Sequence, residues 1–175
     1  MSDESPHAPL PDPLPVPPAF PVAPARGLAD LRGRFGAIEV EQGQIVAPHG
    51  WESRNMIRVA VVCTDGTRNL YVNRAIVEPL QWALLQSSAQ CGWAPKTIGC
   101  FAPRVKRVNG DLSVHSWGLA VDVDADENPL AAAVGDPCVT TIPGEVVAIW
   151  KSAGWTWGGD FRRPDPMHMQ FVSGY

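Results

Sequence analysis

No run of lysine or arginine stands out in this 175-residue chain, in which 18 Asp and Glu outnumber 14 Lys and Arg for a net charge of −4. Nucleic acid is held through a basic stripe that neutralises its phosphates, so such a partner is not suggested. No apolar stretch approaches the roughly 20 residues of a membrane-crossing helix. The first ten residues, "MSDESPHAPL", have neither a basic start nor an apolar run behind it, which argues against a secretory signal peptide. The expectation is a protein made in the cytoplasm, which would need a separate route out to work beyond the membrane. The four cysteines, at 63, 91, 100 and 138, form no CxxC pair, so a Cys-rich zinc site is not expected. Buried free thiols are expected instead, with a Cys91–Cys100 disulfide as the alternative in an oxidising compartment.

Proline, by contrast, is concentrated: nine of the 18 fall within residues 1–24. Proline lacks the amide donor that helices and ladders need, so residues 1–26 read as a disordered or semi-rigid polyproline tail. The remainder, 27–175, is 45% apolar on the whole-chain average and long enough for one domain, with its motif-bearing core at about 55–175. A short helix is predicted near residues 26–36, closed by Gly36. Strands are predicted at 55–63, 70–72 and 96–102, the first two separated by the turn "TDGTRN". Helices are predicted at 78–92, with Pro79 in the first turn and Gly92 at the end, and at 143–155. Without regular βαβ alternation, this order points to an α+β fold with a small antiparallel sheet and flanking helices.

Two segments carry the chemistry. In "GLAVDVD" (118–124), read as a strand, Leu119, Val121 and Val123 face one side and Ala120, Asp122 and Asp124 the other. In "DPMHMQF" (165–171), Met167, Met169 and Phe171 oppose His168 and Gln170. If the two strands share a sheet, His115, Asp122 and His168 converge. Two imidazoles and a carboxylate suit zinc and leave a coordination position open, as catalytic zinc sites do. Asp165, three residues before His168, is the candidate general base. The acidic run that follows fails as a calcium loop, because neither register supplies glycine at position six and glutamate at position twelve. Asp126 and Glu127 read as a solvated turn, and Asp124 as a candidate supporting group beside Asp122. His7 and His49 have no ligand context.

The segment "SVHSWGLAVD" (113–122) matches the SxHxxGxAxD signature of the zinc peptidases that cut cell-wall peptides. These are the D-alanyl-D-alanine carboxypeptidases, the D-Ala-D-Ala dipeptidases and the L-alanyl-D-glutamate endopeptidases of phage lysins. "WGGD" (157–160) followed by "DPMH" (165–168) resembles the second half of that family signature, and "GCFAPR" (99–104) resembles the family upstream of the first motif. The resemblance covers about residues 55–175 and implies the small α+β fold shared with the Hedgehog signalling domain. It implies one zinc per chain held by His115, Asp122 and His168, with Asp165 as general base. It implies Arg104, with Arg107 close by, as the stabiliser of the oxyanion, and Ser113 as a residue that holds substrate or orients the site. Where many relatives place an aromatic residue and then Glu or His, this chain has Met169 and Gln170, and Gln170 can hydrogen-bond behind the ligand. Asp160 reads either as a cleft residue or as a turn cap. Trp150, Trp155 and Trp157 read as core by default, and Trp117 as the tryptophan nearest the site.

The expected function is a monomeric zinc-dependent hydrolase of peptidoglycan stem peptides. The leading expectation is an L-Ala–D-Glu endopeptidase of a phage or prophage lysis system, reaching the wall through a separate pore. A D-Ala-D-Ala carboxypeptidase or dipeptidase is the alternative. A non-catalytic zinc-bearing binding or tail-associated structural module is the alternative of another class.

Overall fold

The structure is a computed structural model and describes residues 13–106 and 110–175. An extended proline-rich segment leads into strand β1 (Ala25–Arg26) and helix α1 (Gly27–Phe35), which ends at Gly36. Strands β2 (Glu39–Glu41) and β3 (Gln44–Val46) form a hairpin over Gln42 and Gly43, both at positive φ as a tight two-residue turn demands. Helix α2 (Trp51–Asn55) precedes β4 (Met56–Cys63), which pairs antiparallel with β5 (Gly66–Asn73) across Thr64 and Asp65. From Val59 onward β4 alternates, burying Val59, Val61 and Cys63 and exposing Ala60 and Val62. Helix α3 (Val77–Cys91) buries Pro79, Leu80, Ala83 and Ser87 and closes at Gly92.

The later elements build the floor of the site. They are β6 (Ile98–Gly99), β7 (Ala120–Val123), helix α4 (Gly144–Ser152), β8 (Thr156–Trp157), β9 (His168–Gln170) and β10 (Val172–Ser173). The four-stranded sheet runs β6-β7-β9-β8, antiparallel throughout. Helix α4 starts at Pro143 and buries Val146, Val147, Ile149 and Trp150. Trp150 stands edge-on to Trp155, and Trp155 edge-on to Phe171, so the expected core role of Trp150 and Trp155 holds. The architecture is α+β, with small sheets and four α-helices among the described residues. No helix among those residues is long and apolar enough to cross a membrane.

Three local expectations change. Strand β5 begins at Gly66 rather than Leu70, because the two-residue connection lets pairing run the full length of β4. The strand expected over 96–102 shrinks to Ile98–Gly99. Beyond it the backbone turns away from the ladder: the Cys100 carbonyl faces His115, and Ala102 N–H donates to the His115 carbonyl at 3.3 Å. The proline-rich tail also ends earlier. Residues 1–12 lie outside the described residues, but Ala25 is fully buried and β1 pairs in parallel with β10. Phe20 stands edge-on to Trp82, and Arg34 donates to the carbonyls of Ala23 and Pro24 at 2.6 and 3.2 Å. Proline blocks ladder donors, yet the apolar residues between prolines still find partners in the body of the fold. The four cysteines are free thiols. Cys63 and Cys100 are buried, whereas Cys91 is half-buried and Cys138 exposed.

Candidate metal centre

His115 rides on a buried 3-10 turn, Val114–Trp117, that Gly118 terminates at φ 67°. Gly118 is needed for space as well as for conformation. A Cβ there would lie 2.6 Å from Met56 Cε and 2.9 Å from the Asn73 nitrogen. The end of β5 clamps this turn: Asn73 N–H donates to the Gly118 carbonyl at 2.9 Å, and its side-chain amide donates to the Trp117 carbonyl at 3.0 Å. Asp122 and His168 come from neighbouring strands and face each other directly in the β7–β9 register.

The ligand atoms form a tight triangle. His115 Nε2 lies 3.0 Å from Asp122 Oδ1 and 3.1 Å from His168 Nδ1, and His168 Nδ1 lies 3.0 Å from the same Asp122 oxygen. The outer partners assign the protons. His115 Nδ1 is 2.5 Å from the Cys100 carbonyl, which can only accept, so Nδ1 carries the hydrogen. Gln170 donates its amide to the Val172 carbonyl at 2.8 Å, which turns its Oε1 toward His168 Nε2 at 3.0 Å. His168 is therefore protonated at Nε2. Each imidazole then presents a lone pair inward, and the carboxylate adds a third. Three acceptors with no hydrogen between them repel unless a cation joins them. A tetrahedral ion with bonds of about 2.0–2.1 Å separates its donor atoms by roughly 3.3 Å, so the donor set and its spacing fit zinc. This is the one such cluster of His, Cys, Asp and Glu among the described residues.

Electrostatics around the triangle are polarised. Burial pushes the Asp122 carboxyl up, but His115 and His168 beside it pull it down further, holding it well below the usual carboxylate range. Arg104 adds charge from the other side, with its guanidinium 3.7 Å from Asp122 Oδ2 and about half exposed. Burial is the main cause that raises the Asp165 carboxyl, which lies within electrostatic reach of His168, Asp122, His115 and Arg104. Asp165 Oδ1 is buried with no hydrogen-bond partner.

Among the sequence-predicted residues, His115, Asp122, His168, Asp165, Arg104 and Gln170 come together. Ser113 opens the His115 turn, its N–H donating to the Arg104 carbonyl and its carbonyl accepting from Ser116. Arg107 lies outside the described residues. Two others are corrected, and Asp160 is placed on the surface. Asp124 leaves the strand at φ 46°, and its carboxylate accepts from the Lys96 and Thr97 amides at 2.7 and 2.8 Å, so it closes the β6 end of the sheet. Trp117 is wholly buried and donates to the Gly36 carbonyl, so it packs beneath the site and cannot line it. Asp160 pairs with Lys151 at 2.6 Å on the surface. Asp126 and Glu127 are exposed in a turn, as expected.

Sequence reasoning missed Ser116 and Phe161. The buried Ser116 hydroxyl accepts from Arg104 N–H at 3.0 Å and donates to its carbonyl at 3.1 Å, fixing the backbone that presents the guanidinium. Its place between His115 and Gly118 was the available signal. Phe161 tilts toward the His168 ring at 6.0 Å between centroids, and nothing in its sequence setting marks it.

Comparison with known proteins agrees with this chemistry. Residues 107–171 match a family model described as D-alanyl-D-alanine carboxypeptidase, a span that holds His115, Asp122, His168 and Asp165. That segment is similar to a peptidase family and supports a peptidase. No curated protein and no solved structure matches the chain.

Proposed function

We propose that the protein is a zinc-dependent peptidase that hydrolyses peptidoglycan stem peptides, with the D-alanyl-D-alanine bond as its target. The observation that carries this reading is the convergence of three inward lone pairs beside a buried, unpartnered carboxylate oxygen. His115, Asp122 and His168 would hold the ion. When bound, zinc supplies Lewis acidity that polarises a carbonyl and lowers the pKa of water. Asp165 takes the proton of the attacking water and delivers it to the leaving amine nitrogen, so the amide is replaced by a carboxylic acid and an amine. Its carboxyl, raised by burial, suits both halves of that transfer. The Arg104 guanidinium neutralises the charge that grows on the carbonyl oxygen. The same Arg104–Asp122 contact keeps that guanidinium over the site before substrate arrives.

The choice of bond rests on the description of the matching family. The test is digestion of purified muropeptides by zinc-loaded protein, read by mass spectrometry. Loss of terminal D-alanine supports the reading. Separated stem peptides would instead indicate an endopeptidase of the lysin type, cutting L-Ala–D-Glu and reaching the wall through a separate pore. Zinc bound without turnover of any wall fragment would indicate a binding or structural module. Full activity in His168→Ala would sink the zinc mechanism.

A further inference from the structure

The sequence "WGGD" is the part of the motif set that the metal and its base leave unexplained. Its first three residues lie against the segment that carries Asp165. The indole N–H of Trp157 donates to the Pro166 carbonyl at 2.8 Å. The Gly158 carbonyl accepts from Asp165 N–H at 2.9 Å and from Phe161 N–H at 3.0 Å. A Cβ on Gly158 would lie 2.4 Å from the Asp165 carbonyl oxygen and 3.2 Å from its Cβ. A Cβ on Gly159 would lie 2.3 Å from the Trp157 ring. Gly158 thus lets the Asp165 segment close onto β8, and Gly159 lets the indole fold over the turn to reach Pro166.

The other flank of the segment is also tied. Ala131 N–H donates to the Pro164 carbonyl at 2.8 Å, and Arg163 Nε donates to the Ala131 carbonyl at 2.7 Å. Between these ties the Asp165 carboxylate has an oxygen that no hydrogen bond orients. The aim of that side chain is set by its main chain, and the main chain is held by Trp157 on one side and residue 131 on the other. We propose that Trp157 is a positioning residue for the base: by holding the Pro166 carbonyl, its indole N–H fixes the backbone that directs Asp165 at the metal triad. The proposal rests on Asp165 acting as the base.

The experiment replaces Trp157 with its benzothiophene analogue, which keeps the ring shape and lacks the N–H, alongside Trp157→Phe and Asp165→Asn. Each protein is assayed on a stem pentapeptide ending in D-alanyl-D-alanine, and its zinc affinity is measured by competition with a chromophoric chelator. Misplacing a catalytic group by a fraction of an ångström costs on the order of 10- to 100-fold in kcat, and that loss is expected in the analogue. Its KM and zinc affinity should stay within about twofold of the parent, because the triad keeps its own supports. An unchanged kcat in the analogue would overturn the proposal. So would a joint loss of kcat, zinc affinity and melting temperature, which marks a merely structural tryptophan. Full activity in Asp165→Asn would remove the base reading itself, and the proposal with it. An inactive Asp165→Asn beside a fully active analogue would overturn the positioning role alone.

Discussion

Asp122 and His168 stand directly opposite each other on adjacent antiparallel strands, with Oδ1 and Nδ1 3.0 Å apart. Cross-strand pairing brings together two ligands that lie 46 residues apart in sequence. Zinc should therefore stabilise the folded chain in addition to activating it. At free zinc about 1,000 times the dissociation constant, linkage gives about 4 kcal/mol. For a chain of this size that is roughly 8–16 °C in melting temperature. Calorimetry with and without chelator measures it, and Asp122→Ala should abolish the zinc-dependent part.

The Gln170 oxygen is the acceptor that fixes the His168 tautomer. Gln170→Leu leaves the His168 N–H without a partner and frees the ring to turn. Zinc affinity should fall about 10- to 100-fold. Gln170→Glu keeps an acceptor and should retain most of it. Competition titration distinguishes the two variants.

Arg104 places a charged donor group 3.7 Å from Asp122 Oδ2, on the oxygen that the histidines do not contact. Arg104→Ala should lower kcat by about 10²–10³-fold with zinc affinity little changed. Steady-state kinetics on the D-alanyl-D-alanine substrate, paired with zinc titration, checks the separation. Arg104→Lys should recover only part of the loss, since an ammonium does not reproduce the planar fork.

Burial raises the Asp165 carboxyl above its ordinary value. The unfolded chain therefore ionises this group first, and its contribution to stability is full at low pH and lost as pH rises through the folded pKa. In metal-free protein, Asp165→Asn should raise the urea midpoint at pH 7, and in zinc-loaded protein it should lower activity about 10²–10⁴-fold. The stability gap from the parent should close as the pH falls below the ordinary carboxylate range. Urea titrations across that range, compared for the two proteins, measure it.

Gly118 joins a positive φ to close approach by Met56 and Asn73. Gly118→Ala should cost about 1–3 kcal/mol in denaturant unfolding, through strain at φ and overpacking together. Because the same turn carries His115, zinc affinity should fall with it.

Much of the centre was legible because its information is local. Alternation in "GLAVDVD" separates Asp122 from the valines, and alternation in "HMQ" puts His168 and Gln170 on one face of β9. What alternation could not show was where the strand stops. Asp124 shares the parity of Asp122, yet it leaves the ladder at φ 46° to bind the Lys96 and Thr97 amides, partners 28 and 27 residues away. The burial of Trp117 was hidden for a similar reason. Its neighbour in space is the Gly36 carbonyl, 81 residues distant, and no window around residue 117 contains that fact. The short β6 strand shows tertiary contact overriding propensity, since the Cys100 carbonyl that a longer strand would place in a ladder instead serves His115.

The pairing of β1 with β10 sets a schedule for the newborn chain. Ser173 Oγ donates to the Ala25 carbonyl across 148 residues, and the two strands lie in parallel register. Residues near position 25 leave the ribosome long before their partners exist, so Ala25 and the apolar side chains around it must wait in solvent or against chaperones. Closing so long a loop carries an entropy cost that only the finished sheet repays, and contacts of this separation slow folding. His168 belongs to the same late-arriving stretch. Nascent chains should therefore complete the triad only once synthesis has passed β9.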